Sequence, residues 1–295
     1  MALGISKSSY YYKGCGRDRR KRDLDPELTA KIMSLTGYEL AYGYRKVAKK
    51  LRKYNHKKVH RHMKALGRTQ PRRHKKKDWV HLPTVCPIRP NIRWEGDLSY
   101  VFDGTQNTYL FAVIDCYDKE LIGDYHGLRC RADEALASLR RAVWNRFGAD
   151  RVPNDEHVTL RIDQGSQYIS KKFREGAANL GIKLEYCGIN CPNEKPYIES
   201  FFAQYKREEV YRSEYRCFTD ASDGWESYRA WYNSDRIHQG IGWRTIAEFR
   251  QCCESRCSSA SENRLGPAIS VDQGAMVPRF SNQYGPGNTQ FVASF

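Results

Sequence analysis

Three carboxylates and one lysine carry the chemistry this sequence suggests. Glu199 stands in Pro192-Asn193-Glu194-Lys195-Pro196-Tyr197-Ile198-Glu199-Ser200-Phe201-Phe202, which reads as a loop entering a helix. Pro196 suits the first helical position, where its missing N–H costs nothing, and Asn193 is a candidate cap. Lys206 follows Glu199 by two helical turns on one face, with the small Ala203 between them. Asp163 closes the apolar-alternating run His157-Val158-Thr159-Leu160-Arg161-Ile162, with 35 residues between it and Glu199. Asp97 lies in a second strand-like run, Arg93-Trp94-Glu95-Gly96-Asp97-Leu98-Ser99-Tyr100-Val101. Two strand carboxylates and one helix carboxylate can converge on two divalent ions. Oxygen ligands of this kind suit Mg2+, where His or Cys would not. A lone glutamate in a first helical turn is ordinarily a surface charge favoured by the helix dipole. The company of Asp97 and Asp163 is what raises Glu199 above that. Asp115 is the rival carboxylate, and it reads better as a residue capping the end of its own strand.

The elements that must position these groups follow from periodicity. Strands are expected over 94–101, 109–115, 121–126, 158–162 and 182–186. Helices are expected over 132–147, with Leu136, Leu139 and Val143 inward, over 171–180, from 197 to about 211, and from about 222 to 232. Three adjacent strands followed by alternating helix and strand predict an α/β domain over 91–250, a mixed sheet flanked by helices. A small all-α region precedes it over 25–66. Asp25 caps a first helix with Pro26 in its first turn and with Leu28, Ile32 and Leu35 at helical spacing. A second helix starts at Tyr42 and turns Val47 and Leu51 inward. Asn55 caps a third, in which Val59 and Met63 face in and Lys57, Lys58, Arg61 and Lys64 face out. Helix, short turn and basic helix is the plan of a helix-turn-helix.

Charge is distributed unevenly. The chain of 295 residues carries a net +16, and residues 1–90 hold 25 Lys and Arg against six Asp and Glu. The remainder is slightly acidic, so the basic material forms a separate arm, and a polyanion partner such as nucleic acid is expected. Residues 1–24 are a basic N-terminal segment. In the linker 67–90, Arg72, Arg73, Lys75, Lys76 and Lys77 stand among four prolines, a composition suited to phosphate contact without base reading. Residues 251–295 are rich in Ser, Gly, Asn and Pro, and a disordered tail is expected there. No apolar run is long enough to span a bilayer. Ten cysteines spread this thinly suggest a reduced, cytoplasmic-type chain, and their spacings match zinc sites poorly.

Asp97, Asp163 and Glu199, with a lysine seven residues after the last, resemble the DDE motif of retroviral-type integrases and insertion-sequence transposases. The local words are most similar to the insertion-sequence-three family. Asp163-Gln164-Gly165-Ser166-Gln167-Tyr168, Glu199-Ser200-Phe201-Phe202 with Lys206, Tyr42-Gly43-Tyr44-Arg45, and Tyr232-Asn233-Ser234-Asp235-Arg236-Ile237-His238 all resemble its segments, over roughly residues 1–250. The resemblance implies a ribonuclease-H-like fold and a DNA transposase that cleaves and joins strands. It implies two Mg2+ ions, with Mn2+ as substitute, in which Asp97 bridges both while Asp163 and Glu199 hold one each. DNA contacts are implied for Lys206, beside the metals, and for Arg45, while Arg236 and His238 read equally as contacts to the element's end or as polar packing that closes the core. The implied partners are DNA ends and target, further copies of the chain, and an upstream-frame product. The implied location is the bacterial cytoplasm, at the nucleoid. Two departures stand out: the tail beyond 250, and Ile246, where the family usually has proline. A non-catalytic DNA-binding regulator and a nuclease of the same fold are the alternatives.

Overall fold

The computed structural model describes residues 23–70, 87–188 and 194–253. The basic run with Arg72, Arg73, Lys75, Lys76 and Lys77, the candidate cap Asn193, the segment 1–22 and the tail from 254 lie outside the described residues. All described residues belong to one compact unit, Met1–Cys253.

Five strands form one sheet: β1 (Arg93–Phe102), β2 (Asn107–Asp115), β3 (Leu121–Gly127), β4 (Val158–Ile162) and β5 (Ile182–Tyr186). Their order is β3-β2-β1-β4-β5. The first three pair antiparallel, whereas β4 and β5 run parallel to β1. Helices cover both faces. On one side lie α4 (Ala132–Phe147), the short α5 (Ser166–Ile169) and α6 (Lys171–Asn179). On the other lie α7 (Pro196–Glu208) and α8 (Phe218–Ser234). This is the mixed, helix-flanked sheet expected from the sequence.

The strand pleat sends alternate side chains to opposite layers. Phe111 and Val113 of β2 join the cluster with Leu139, Val143 and Phe173, whereas Leu110, Ala112 and Ile114 join Phe201, Tyr205 and Trp225. Both faces being covered, β2 reads as an unbroken apolar run rather than an alternating one. Gly123 of β3 marks the closest approach of α4, since a Cβ there would lie 2.3 Å from the Ser138 carbonyl oxygen.

The N-terminal region folds as α1 (Pro26–Met33), a 3₁₀ turn over Gly37–Ala41, α2 (Tyr44–Leu51) and α3 (His56–Ala65). Asp25 accepts from the Glu27 and Leu28 N–H groups, and Asn55 accepts from that of Lys57. Leu28, Ile32, Val47, Val59 and Met63 form the core. His62 is buried and ties α3 to α1: its Nε2 accepts from the Asp25 N–H and its Nδ1 faces the Lys58 carbonyl. The expected basic outer face of α3 is corrected in part. Lys57 and Lys64 are exposed, but Lys58 is paired with Asp25 at 2.5 Å and Arg61 is half-buried. Tyr38 and Tyr42 seat this region on Trp231 of α8, with ring centroids 4.8 and 6.0 Å away. Among the described residues no helix is long and apolar enough to cross a membrane.

A polar lock closes the molecule at the far end of α7. Glu208 accepts from Arg236 Nε at 2.8 Å, Arg236 Nη2 at 2.9 Å and the Tyr228 hydroxyl at 3.0 Å. Lys46 of α2 lies 3.6 Å from the same carboxylate. His238 is buried behind it, its Nε2 donating to the Tyr232 carbonyl and its Nδ1 facing Arg236. The expectation that Arg236 and His238 contact DNA is therefore corrected. Both are buried, and their donors are committed to α7 and to the turn after α8.

Two outcomes follow from this lock. Glu208→Ala leaves Arg236 and Lys46 buried without their counter-charge and is expected to cost about 3–5 kcal/mol in denaturant unfolding. Burial, and next the Arg236 charge, lower the Lys46 ammonium from 10.5 to about 7. Between those values the unfolded chain binds a proton that the folded chain does not, so this residue makes stability rise with pH through that window. Unfolding curves of wild type and Lys46→Met, compared from pH 7 to 10, should show that rise only in the wild type.

Candidate active site

Asp97 and Asp163 are brought together by parallel pairing. In the β1–β4 register Trp94 faces Leu160 and Glu95 faces Arg161, so Asp97, within β1, comes level with the position just beyond the end of β4. Asp97 follows two residues after Glu95, and Asp163 directly follows β4. Each carboxylate is steadied by its own backbone: Asp97 Oδ1 accepts from the Leu98 N–H and Asp163 Oδ1 from the Gly165 N–H, both at 2.9 Å. Asp163 is the more open, with 46% of its side chain exposed against 20% for Asp97.

Glu199 arrives on α7, and a residue that the motif reading passed over sets where α7 begins. Glu95 Oε2 accepts from the N–H groups of Tyr197 and Ile198, each at 2.9 Å. Pro196, in the first turn, has no N–H to satisfy. The buried Glu95 carboxylate thus does the work expected of Asn193, and it sits on the strand that carries Asp97, on the same face. Burial pushes its carboxyl up to about 7 against the pull of these two N–H groups. The available signal was an acidic residue two positions before Asp97 in an otherwise strand-like run.

The charges at the site are coupled. Lys195 is buried, and its Nζ lies 3.0 Å from Asp97 Oδ1 and 3.6 Å from Asp163 Oδ2. Burial alone would lower its ammonium, but Asp97 and Asp163 together outweigh this and hold it above the usual lysine value. Burial raises Asp97, with Lys195 opposing and Asp163 adding to the rise. Burial raises Glu199 as well, and the Asp97 charge adds to it. Among the described residues no three His, Cys, Asp or Glu side chains form a ready-made metal shell. The ammonium is the cation that sits between two of the carboxylates. Lys206 is half-exposed on α7 beyond the exposed Ala203.

Asp115 plays the other part expected of it. It pairs across the sheet with Trp94, not Asp97, and is fully buried. It accepts from the N–H groups of Asn91 and Tyr117 and from Arg146. Arg146 also binds Asp118, to which Arg250 is joined. Asp115 therefore caps its strand end within a structural charge network.

Glu95→Ala would orphan two N–H groups at the start of α7, at roughly 1–3 kcal/mol each. Glu95→Gln keeps an acceptor and should lose clearly less. Equilibrium unfolding of the two variants beside wild type checks the order.

Residues 87–192 match a family model described as integrase core domain, and residues 180–245 match a second model of the same description. The probable transposase for insertion sequence element IS1353 of Shigella flexneri is 23% identical over 274 residues, covering 84% of this chain and 50% of that protein. The chain thus spans about half the length of that relative. The putative transposase InsK for insertion sequence element IS150 of Escherichia coli K12 is 25% identical over 266 residues, covering 84% of this chain and 91% of that protein. A simian T-cell lymphotropic virus intasome, solved with a PP2A regulatory subunit, aligns over 84% of this chain and 80% of its own, at TM-score 0.46 and 16% identity. The two matches overlap, each is to an integrase core domain, and each covers less than half of the chain.

Proposed function

We propose that the chain is a DDE-type transposase of a bacterial insertion sequence, which cleaves DNA strands at the element's ends and joins them to target DNA. The observation that carries this reading is the convergence of Asp97 and Asp163 on one cation, beside a helix whose Glu199 feels the Asp97 charge. The integrase core match and the insertion-sequence transposases among its relatives support the same reading.

Asp97, Asp163 and Glu199 are the residues that would hold two Mg2+ ions, or Mn2+ in their place. The donors are hard carboxylate oxygens, and the site already seats a cation, so the residues fit such ions. When bound, the ions would activate an attacking oxygen and stabilise the leaving one in an in-line displacement at phosphorus. Asp97 is assigned to both ions, Asp163 and Glu199 to one each. Glu95 holds the helix end so that Glu199 faces the strand carboxylates. Lys206, aligned with Glu199 and Ala203, takes a DNA phosphate next to the reacting one. Arg45, Lys57 and Lys64, all exposed on the helical region, contact phosphates further out. Lys58 and Arg61 contribute less, the first being paired and the second half-buried, and the run from Arg72 through Arg73, Lys75, Lys76 and Lys77 adds charge to the same arm. No nucleophilic side chain is required, since water attacks first and the freed 3′-hydroxyl attacks next. Bringing two DNA ends into one reaction calls for at least a dimer, and an upstream-frame product is the further partner this reading carries.

Asp97→Asn, Asp163→Asn and Glu199→Gln keep shape and remove the charge that a metal needs. With Mg2+ and the DNA flanking its own gene, wild type should nick and join ends, and each variant should fall to background. A gel-shift on the same DNA should be retained in all three, because binding rests mainly on the basic arm. Cleavage by any variant at the wild-type rate would remove that residue from the site. Binding without cleavage by wild type, under either metal and with the upstream product supplied, would make the chain a regulator.

A further inference from the structure

We propose that Lys195 is a built-in counter-ion of the Asp97–Asp163 pair, and that divalent metal enters the site only by displacing its ammonium. The inference rests on the metal-site reading above and goes beyond it, since it assigns a role to a residue outside the carboxylate triad. Lys195 touches two of the three carboxylates and starts the helix that carries the third. Its Nζ sits 3.0 Å from Asp97 and 3.6 Å from Asp163, while its backbone carbonyl accepts the N–H of Glu199 at 3.2 Å. The residue is 6% exposed, so this is not a solvated surface pair that salt and motion would dissolve. It occupies the cap position of α7, next to the two N–H groups that Glu95 fixes, and its stem therefore starts from a defined point.

Two consequences follow from elementary electrostatics. Without metal, Asp97 and Asp163 repel one another at close range, and the ammonium offsets that repulsion, keeping the metal-free chain folded with the pair in register. With metal, an ammonium and a divalent cation cannot share the same oxygens a few ångströms apart without mutual repulsion, so Lys195 must give way. The lysine thus sets a threshold on metal affinity. It also makes occupation of the site depend on the double charge, because a monovalent ion gains little by replacing a monovalent group that is already tethered there.

The test is metal binding on the full chain without DNA. Mg2+ and Mn2+ are titrated calorimetrically into wild type, Lys195→Met, which keeps the stem and removes the charge, and Lys195→Arg, which keeps the charge. Thermal melting of the same proteins is followed in chelator and in excess metal. Lys195→Met is expected to bind metal on the order of tenfold more tightly, to melt lower than wild type in chelator, and to regain the difference when metal is added. Lys195→Arg should stay close to wild type in both measurements. Lys195→Gln, with a polar end on a shorter stem, is read in the same way and decides the matter if the Met variant does not fold. Equal or weaker metal binding by the neutral variants would overturn the counter-ion role while leaving the carboxylate site standing. No metal binding by either wild type or the neutral variants would overturn both the role and the metal-site reading beneath it.

Discussion

The geometry of the site depends on one buried hydrogen-bonded contact, the carboxylate of Glu95 against the first N–H groups of α7. The strand carboxylates need no such device, because parallel pairing of β1 with β4 brings Asp97 level with the position just beyond β4, where Asp163 stands. Glu199 is different. Its helix begins some hundred residues after β1 and shares no ladder with it. A helix start leaves its first N–H groups unpaired, and burying them without partners is costly. Here the accounting closes: Pro196 has no N–H, Tyr197 and Ile198 donate to Glu95, and Glu199 donates to the Lys195 carbonyl. The same contact that satisfies the helix end also sets its distance from Asp97, since Glu95 and Asp97 are two residues apart on one strand.

Charge is used in two ways in this molecule. Away from the site, buried carboxylates are answered by donors of fixed direction. Asp124 receives the Trp225 indole N–H and Arg229, Asp118 receives Arg146 and Arg250, and Glu208 receives Arg236 and Tyr228. Guanidinium groups present a rigid fork that suits permanent pairs. At the site the partner is instead a single lysine on a flexible stem, shared between two carboxylates. An ammonium is a point charge that can leave without dismantling a bidentate geometry. The structural networks rest mainly on arginine, with Lys46 beside Arg236 at Glu208, whereas the candidate metal site rests on one lysine.

Much of the fold was legible in the sequence because local periodicity and local burial agreed. The strands over 158–162 and 182–186 and the helix over 132–147 appear with the expected limits, each having a clear pattern bounded by turn residues. The helix from 197 ends at Glu208 and yields to a 3₁₀ turn, Val210–Arg212, and the one expected near 222 begins earlier, at Phe218. The 3₁₀ turn Gly37–Ala41 and the short α5 were missed, being too brief to show a period. Harder to read were partners distant in sequence. Glu95, Lys195 and His62 are ordinary charged or polar letters in the chain, and nothing local says that Glu95 meets Tyr197 or that His62 meets Asp25. Lys58 and Arg61 fit a basic helical face by spacing alone; the acid that engages Lys58 lies 33 residues away.

The segment Tyr232-Asn233-Ser234-Asp235-Arg236-Ile237-His238 shows how a polar motif can serve the site without touching its ligand. Asn233 pairs its amide with both the N–H and the carbonyl of Leu121, holding the end of α8 to the start of β3. The Tyr232 hydroxyl donates to the Lys119 carbonyl just before that strand. Arg236 then reaches Glu208, and His238 closes back on Tyr232. Burial together with the Arg236 charge lowers His238 to about 3, so its ring stays neutral and continues to accept from that guanidinium at ordinary pH. Of these bonds, the one from Arg236 to Glu208 reaches the last turn of α7. The helix that carries Glu199 is therefore pinned at both ends, by Glu95 on the central strand and by Arg236 beyond the sheet. Ile198, Phe201, Phe202 and Tyr205 are buried between the pins, and the line of Glu199, Ala203 and Lys206 is left facing outward. A helix fastened at one end could swing its carboxylate by an ångström or more, enough to spoil a site that depends on three groups meeting. Fastened at both, it has less freedom to carry Glu199 away from Asp97, and the polar residues of this motif are spent inside the protein.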